Sequence, residues 1–525
     1  MWNLRRRDFL KVGAAGASLG LLRAFGPGGV VVPTAASAAT VNVKRGGTFT
    51  FATTAAIQEF NPFMLIPGQY PFLRALYDTL AHYDAQLKLQ PELAEKWDFS
   101  PDGKTLTLKL RQGVKFHSGR EFTSADVKFS VEFGQTNEKV TMRTFYQAVK
   151  QVELPDKYTA VFKFDSVTPI AYDILDTLCI IDKETIENRN KMAIGTGPFK
   201  LDKYLPNDRA EFVAFQDYWE VGKPYLDRYV MRVIPDLSAL AVNLESGAID
   251  CAWCISNLDA VRLQAGGKYV ITTGAPGWSI FDIAINVTIE PFQNKKVRQA
   301  IAWSIDRERF CKTVLRGLGQ PTCLMWPTNS WAHFKDLEGT IGYDLDKARN
   351  LLKEAGLEKG FQTELLTAST QQFGYGELAQ ILQADLRKIG ITARVLDVDP
   401  GLYRNRAVVK GEIVMMVHNY GRGNRDPGSL VTGARAWTNG WKEGNWTHFE
   451  SAEWGKWQKE LNSTLDMERR KAAARKLQEI ALDECFTIPV APALPVFAYA
   501  SYIKGFSVTM DNSPYVGDVW LVLLR

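Results

Sequence analysis

Two cysteines three residues apart, Cys251-Ala-Trp-Cys254, carry the most explicit chemistry in this sequence. A C-x-x-C supports thiol–disulfide exchange or forms half of a zinc site, but no second C-x-x-C or paired histidine follows at zinc spacing. The pair therefore reads as a local disulfide or two buried thiols. Gly16-Ala-Ser18-Leu-Gly20 matches the pattern of a serine nucleophile elbow, yet no strand precedes it. There is no phosphate-binding G-x-x-x-x-G-K-[ST] and no H-E-x-x-H. His82, His117, His333, His418 and His448 are dispersed. The sequence thus offers no catalytic residue, no metal ligand set and no cofactor motif, and it does not read as an enzyme.

A different chemistry is suggested by residues 412–428, where an apolar run ending in His418-Asn-Tyr420 enters the glycine-rich loop Gly421-Arg-Gly-Asn-Arg-Asp-Pro-Gly428. Arg422 and Arg425 are planar donor forks suited to carboxylate or phosphate, and glycine-exposed N–H groups beside them would complete an anion subsite. The alternative is that Arg425 pairs with Asp426 or a neighbouring carboxylate while Arg422 is solvated. Trp437, Trp441 and Trp446 are dense enough for stacking on a ligand, or for packing a loop onto its domain. Tyr420 faces the same choice, ligand contact or core.

The elements that must carry these residues are legible from periodicity. Pro101-Asp-Gly103 reverses the chain, and Leu106, Leu108 and Leu110 then alternate with polar residues as in a half-buried strand. Thr123-Ser-Ala-Asp126 has capping-box spacing ahead of a helix. Val297, Ala300, Ile301, Ser304 and Ile305 form one helical face, and Asp306 caps a further helix. Leu345, Ala348 and Leu352 mark a helix ending at Gly356; Ala379, Leu382, Leu386 and Ile389 mark one ending at Gly390, before a strand from Ile391 to Val398. Such alternation predicts an α/β fold with ligand sites at strand carboxyl ends and between domains.

Residues 1–38 read as a leader. Arg5-Arg6-Arg7-Asp-Phe-Leu-Lys11 resembles a twin-arginine export signal, with Arg5 where Ser or Thr is usual. The apolar run Val12–Leu22 spans about 11 residues against the roughly 20 that cross a bilayer, and Ala36-Ser-Ala38 supplies a cleavage site. Arg5, Arg6, Arg7, Lys11 and Arg23 against Asp8 account for +4 of the formal +5, so the remaining chain is near neutral. It has no basic run interleaved with aromatics, which argues against nucleic acid as a partner. About 487 residues remain, enough for two or three domains. Six cysteines exported to an oxidising compartment have no pairing assignable from spacing.

The ordered set PELAEKW (91–97), SPDGKTLTLKLRQGVKFHSG (100–119) and FTSADVKFS (122–130) closely resembles the peptide/opine/nickel class of ABC-importer solute-binding proteins, extracellular family 5. GTGPFKL (195–201), PFQNKKVRQAIAWSIDR (291–307), YDLDKARNLLKEAG (343–356) and IKGF (503–506) resemble further landmarks of that family, in its order. The resemblance implies a bilobed periplasmic-binding-protein fold, type II-like, with an extra inserted domain. Lobe I would comprise 40–75, 193–288 and 496–525, with 76–192 inserted, and lobe II 289–495; crossings near Asn286–Pro291 and Ala491–Pro495 would form the hinge. It implies a periplasmic monomer that traps a peptide, opine-like or oligosaccharide solute and delivers it to an inner-membrane ABC permease. The rival classes are an exported enzyme and a chaperone-like or signalling receptor. In peptide-binding members an aromatic residue is followed three positions later by an acid that pairs with the peptide ammonium. Anchored on Asp426-Pro427, Tyr420 takes the aromatic place and Gly423 stands where the acid belongs. A buried ammonium without an anion is costly. The candidate ligand residues are therefore Tyr420, Arg422, Gly423, Arg425, Trp437 and Trp441.

Overall fold

A computed structural model describes residues 43–55, 60–65, 69–140, 142–188, 193–277, 279–370, 373–421, 425–440 and 444–522. The leader 1–38 and the candidates Arg422, Gly423 and Trp441 lie outside the described residues.

The hairpin and helices expected from local pattern form as read. Strands Ala94–Phe99 and Thr105–Leu110 pair antiparallel, with Trp97 opposite Leu108. The turn closes through the Ser100 N–H to the Thr105 carbonyl at 2.8 Å, and Gly103 sits at φ +67°, where a side chain would be strained. Leu106, Leu108 and Leu110 are buried. Asp126 accepts the Thr123 N–H at 2.9 Å and opens the helix Ser124–Thr136. Asp306 and Asp344 cap the helices Arg307–Thr313 and Leu345–Glu354 through the Arg309 and Lys347 N–H groups, each at 2.9 Å.

These elements assemble into two bodies. In the first, a seven-stranded sheet runs in the order Tyr269–Thr273, Val496–Ala500, Cys251–Trp253, Thr48–Thr53, Arg228–Val233, Arg209–Ala214, Phe199–Leu205. A four-stranded sheet, Ala94–Phe99, Thr105–Leu110, Thr159–Phe164, Val149–Asp156, shares its core with the helices Tyr70–Leu76 and Ala171–Thr177. In the second, a five-stranded sheet runs Ile391–Asp397, Phe361–Thr367, Met415–Gly421, Ser279–Ile285, Thr487–Pro492 over its own core.

The chain leaves the first sheet after Thr273 and enters the second at Ser279, ahead of the expected crossing at 286–291 and the expected boundary after 288. Strand Ser279–Ile285 is buried throughout and hydrogen-bonded on both sides, which commits it to the second body. Pro291 instead starts a turn, its carbonyl taking the Asn294 N–H at 3.2 Å, that leads into helix Lys295–Ser304. The return crossing lies between Pro492 and Val496. The two crossings are bonded to each other, Gly274 N–H to the Pro495 carbonyl and Ala493 N–H to the Ser279 carbonyl, both at 2.8 Å.

Two of the sequence landmarks meet the end of helix Tyr70–Leu76 at one place in the first body. His117 is buried, accepts the Gly195 N–H on Nδ1 at 3.3 Å and donates from Nε2 to the Gly197 carbonyl at 2.9 Å. Gly197 N–H donates to the Leu76 carbonyl at 2.9 Å, and a Cβ on Gly195 or Gly197 would run into the Leu76 backbone. Burial therefore holds the imidazole neutral, with its pKa lowered to about 4. This histidine is a strut.

Two residues beyond Leu76, Asp78 accepts Trp219 Nε1–H at 2.9 Å and the Tyr218 hydroxyl at 3.3 Å. Burial, then the charge of Glu92, raises its pKa from 3.8 to about 7. Glu92 is itself lowered to about 2: burial pushes it upward, but His82, whose Nδ1 lies 2.9 Å away, outweighs that together with Arg74 and Thr79. An unfolded chain gives up the Asp78 proton near pH 4 and the folded protein only near pH 7, so the folded form binds more protons in between. Stability contributed by Asp78 is present below pH 4 and is lost as pH rises toward 7. Asp78→Asn, which keeps the shape of the neutral acid, should raise the melting temperature relative to the parent at pH 8 and bring no gain at pH 5. Thermal melts of both proteins across that range check it.

Candidate functional site

The strand Met415–Gly421 pairs along its whole length with Ser279–Ile285, Tyr420 opposite Ile280 and Gly421 opposite Ser279, so its carboxyl end is held in the second sheet. Beyond it, Asp426 caps the helix Pro427–Gly433, accepting the Gly428 N–H at 2.8 Å and Arg470 Nη2–H at 2.6 Å. Those bonds fix Arg425, immediately before the cap, against the other body.

There, helix Ala171–Thr177 supplies two carboxylates one turn apart, Asp173 and Asp176. Arg425 Nε meets Asp176 Oδ2 as an ion pair, with both side chains more than nine-tenths buried. Asp176 Oδ1 is held from its own body by Arg74 Nη2 and by the Tyr83 N–H, each at 3.2 Å. Arg74 reaches onward to Asp511 Oδ2 at 3.0 Å and to Thr79 Oγ1 at 3.1 Å. Asp173 accepts the backbone N–H of Asp426 at 3.1 Å. Burial, then the charge of Asp426, holds the Asp173 carboxyl well above the ordinary carboxylate range. Burial acts against the charge on Arg425, but Asp176 outweighs it and the guanidinium stays ionised. Burial also pushes Asp511 upward, yet Arg74 and Arg425 hold it below its usual value.

A second contact spans the bodies where Asn329 Nδ2–H donates to the Ala85 carbonyl at 2.9 Å. A third is apolar, with Leu465 lying beside the turn at Gly103. Among the described residues no group of three or more His, Cys, Asp or Glu side chains is arranged to hold a metal ion. All six cysteines are free thiols, Cys251 and Cys254 included.

Residues 88–441 match the family model described as "Bacterial extracellular solute-binding proteins, family 5 Middle". The chain belongs to family 5 of the bacterial extracellular solute-binding proteins. It is 30% identical to the dipeptide-binding protein of Escherichia coli K12 over 426 residues, 74% of this chain and 78% of that one. It is similar to the ABC transporter-associated periplasmic binding protein DppA of Helicobacter pylori, solved with the peptide STSA. That match has 26% identity and a TM-score of 0.75, covering 91% of this chain and 98% of the other. The substrate-binding protein CtaP of Listeria monocytogenes shares the fold, with a TM-score of 0.82 at 23% identity and coverage of 91% and 100%.

In a family 5 solute-binding protein the two bodies are the lobes, and solute is captured between them. Of the described members of the expected ligand set, Tyr420, Arg425 and Trp437, Arg425 lies between the lobes. Its guanidinium is committed to Asp176 in the opposite lobe, so the anion subsite expected at Arg422 and Arg425 lacks one of its two arginines. Tyr420 is not a ligand face: its ring is buried and its hydroxyl donates to the Met325 carbonyl at 2.9 Å. Trp437, expected to stack on ligand, is fully buried among Tyr420, Trp454 and Phe486, with ring centroids 5.3 to 6.4 Å away. Large aromatic surface is driven into a core wherever other rings can cover it, and the helices Ala452–Asn462 and Met467–Glu484 pack against this strand end and supply that cover. His418 pairs through Nε2 with Asp282 Oδ1 inside the second sheet and packs edge-on to Trp446 at 5.1 Å. Sequence reasoning missed Arg74, Asp173, Asp176 and Asp511. The Asp173/Asp176 spacing puts both carboxylates on one side of a short helix, but that pattern is common on solvated faces.

The aromatic core has a measurable signature. Trp437→Ala should lower stability by about 3–5 kcal/mol, the scale of a large buried truncation. Tyr420→Phe, which leaves the Met325 carbonyl unpaired, should cost about 1 kcal/mol. Urea denaturation midpoints compared with the parent check both.

Proposed function

We propose that this protein captures a short peptide or peptide-like solute by closing its two lobes about the crossings at 274–278 and 493–495, and releases it to an ABC permease. One observation carries the trapping mechanism: polar groups of one lobe meet partners on the other at Arg425–Asp176, Asp426–Asp173 and Asn329–Ala85. A solute can bias such an equilibrium only through contacts that differ between open and closed forms, so it must touch both lobes. Support for a peptide-like solute comes from the two relatives at 26–30% identity, one named for dipeptides and one solved with a tetrapeptide. The arginine-based acidic site has less support, since Arg425 already has a carboxylate partner. Arg422 and Gly423, next to it in the chain, and Trp441 are the remaining sequence candidates for solute contact. The protein works as a monomer in the periplasm, reached by way of the twin-arginine leader, without catalysis and without nucleic acid.

The test is a thermal-shift screen of the mature chain against di- to tetrapeptides, glutathione, opines, haem and oligosaccharides. A solute at about 100 times its Kd should add roughly 2.7 kcal/mol of stability. The expected result is stabilisation by peptides and recovery of the solute unchanged by mass spectrometry. Stabilisation by oligosaccharides alone would overturn the solute class, and conversion of any panel member to product would overturn capture.

A further inference from the structure

We infer that Asp176 is the positioning residue of lobe closure: a carboxylate held ready by Arg74 on its own lobe receives Arg425 from the other. The inference rests on the capture reading above and adds to it a protein-borne determinant of the closed state, independent of what the solute supplies.

One half of the contact is built within a single lobe. Arg74 at 3.2 Å and the Tyr83 N–H at 3.2 Å hold Asp176 Oδ1, and Asp511 at 3.0 Å with Thr79 at 3.1 Å holds Arg74. None of these partners belongs to the other lobe, so the carboxylate keeps its aim whether the lobes are together or apart. Its second oxygen, Oδ2, takes Arg425. The other half is equally local: Asp426 is fixed by Gly428 N–H and Arg470, and that cap sets the direction of Arg425. Closure therefore joins two prepared surfaces without reorganising either side.

The energetics make the pair a register device more than a source of net attraction. Desolvating two charges offsets most of their mutual gain, while a wrong register strands a buried charge. The Asp426 N–H to Asp173 bond, one residue away, locks the same register from the backbone. The two members are not equivalent. Asp176 serves an arginine from each lobe, so Asp176→Asn takes from Arg425 its ion-pair partner in the closed form; Arg425→Gln leaves Asp176 still paired to Arg74.

The experiment uses the full mature chain without added solute. Small-angle scattering and the distance distribution between one fluorophore on each lobe report the open and closed populations, and thermal melts report folding. Asp176→Asn should lower the closed-to-open ratio by about tenfold or more, and Arg425→Gln should lower it less. The double variant should be less open than the two single effects combined predict, because both charges are gone together. Arg425→Lys should recover part of the closed population. Should Asp176→Asn fail to fold, Arg425→Gln and Arg425→Lys decide the question. Unchanged scattering and distances in Arg425→Gln, or strictly additive effects in the double variant, would overturn the inference. Since no solute is present, a negative result here leaves the capture reading standing, and a failed solute screen leaves this one standing.

Discussion

Everything in this molecule depends on a separation of cores. Each sheet buries its apolar face against its own helices, and the two bodies are joined by two short crossings bonded to each other at Gly274–Pro495 and Ser279–Ala493. Hydrophobic burial, the largest favourable term in folding, is mostly satisfied within each body and says little about their relative orientation. Orientation is left to a small number of contacts between the bodies, polar at Arg425–Asp176, Asp426–Asp173 and Asn329–Ala85 and apolar at Leu465–Gly103. That division lets a binding protein be stable as a folded chain and nearly balanced as a hinge.

Within the first body, the landmark segments most recognisable in the sequence turn out to be packing junctions. His117, Gly195, Gly197 and the backbone at Leu76 interlock so closely that the glycines admit no side chain. Asp78 and Glu92 lie just beside this junction and titrate apart, one raised and one lowered, because one has only neutral donors and a nearby anion while the other has His82 and Arg74. The recognisable motifs therefore fix the shape of the lobe, and the two members of the Arg425–Asp176 pair come from segments with no such signature.

Strands and helices were legible because their signals are local: alternation at 105–110, caps at Asp306 and Asp344, positive-φ glycines at 356 and 390. The lobe crossing was less legible. Strand Ser279–Ile285 is buried on both faces, and only its pairing with strands near 418 and 489 shows which sheet owns it. The site was least legible. An aromatic at a strand end reads equally well as core or as ligand platform, and Tyr420 and Trp437 are core because helices from 452–484 cover them. The partner of Arg425 lies almost 250 residues earlier, on a helix whose own sequence gives no reason to single out Asp176.

The order of strands in the first sheet sets a schedule for making the protein. Strand Val496–Ala500 pairs with both Cys251–Trp253 and Tyr269–Thr273, so it sits inside the sheet, and among the described residues Tyr269–Thr273 has no other neighbour in it. A ribosome must therefore finish nearly the whole chain before that sheet can close. Until then the exposed edge of Cys251–Trp253 offers unpaired backbone groups to any passing strand. The four-stranded sheet, contained within residues 94–164, has no such wait. Nascent chains thus carry one sheet whose strands are all present early beside a larger sheet that waits for its last strand.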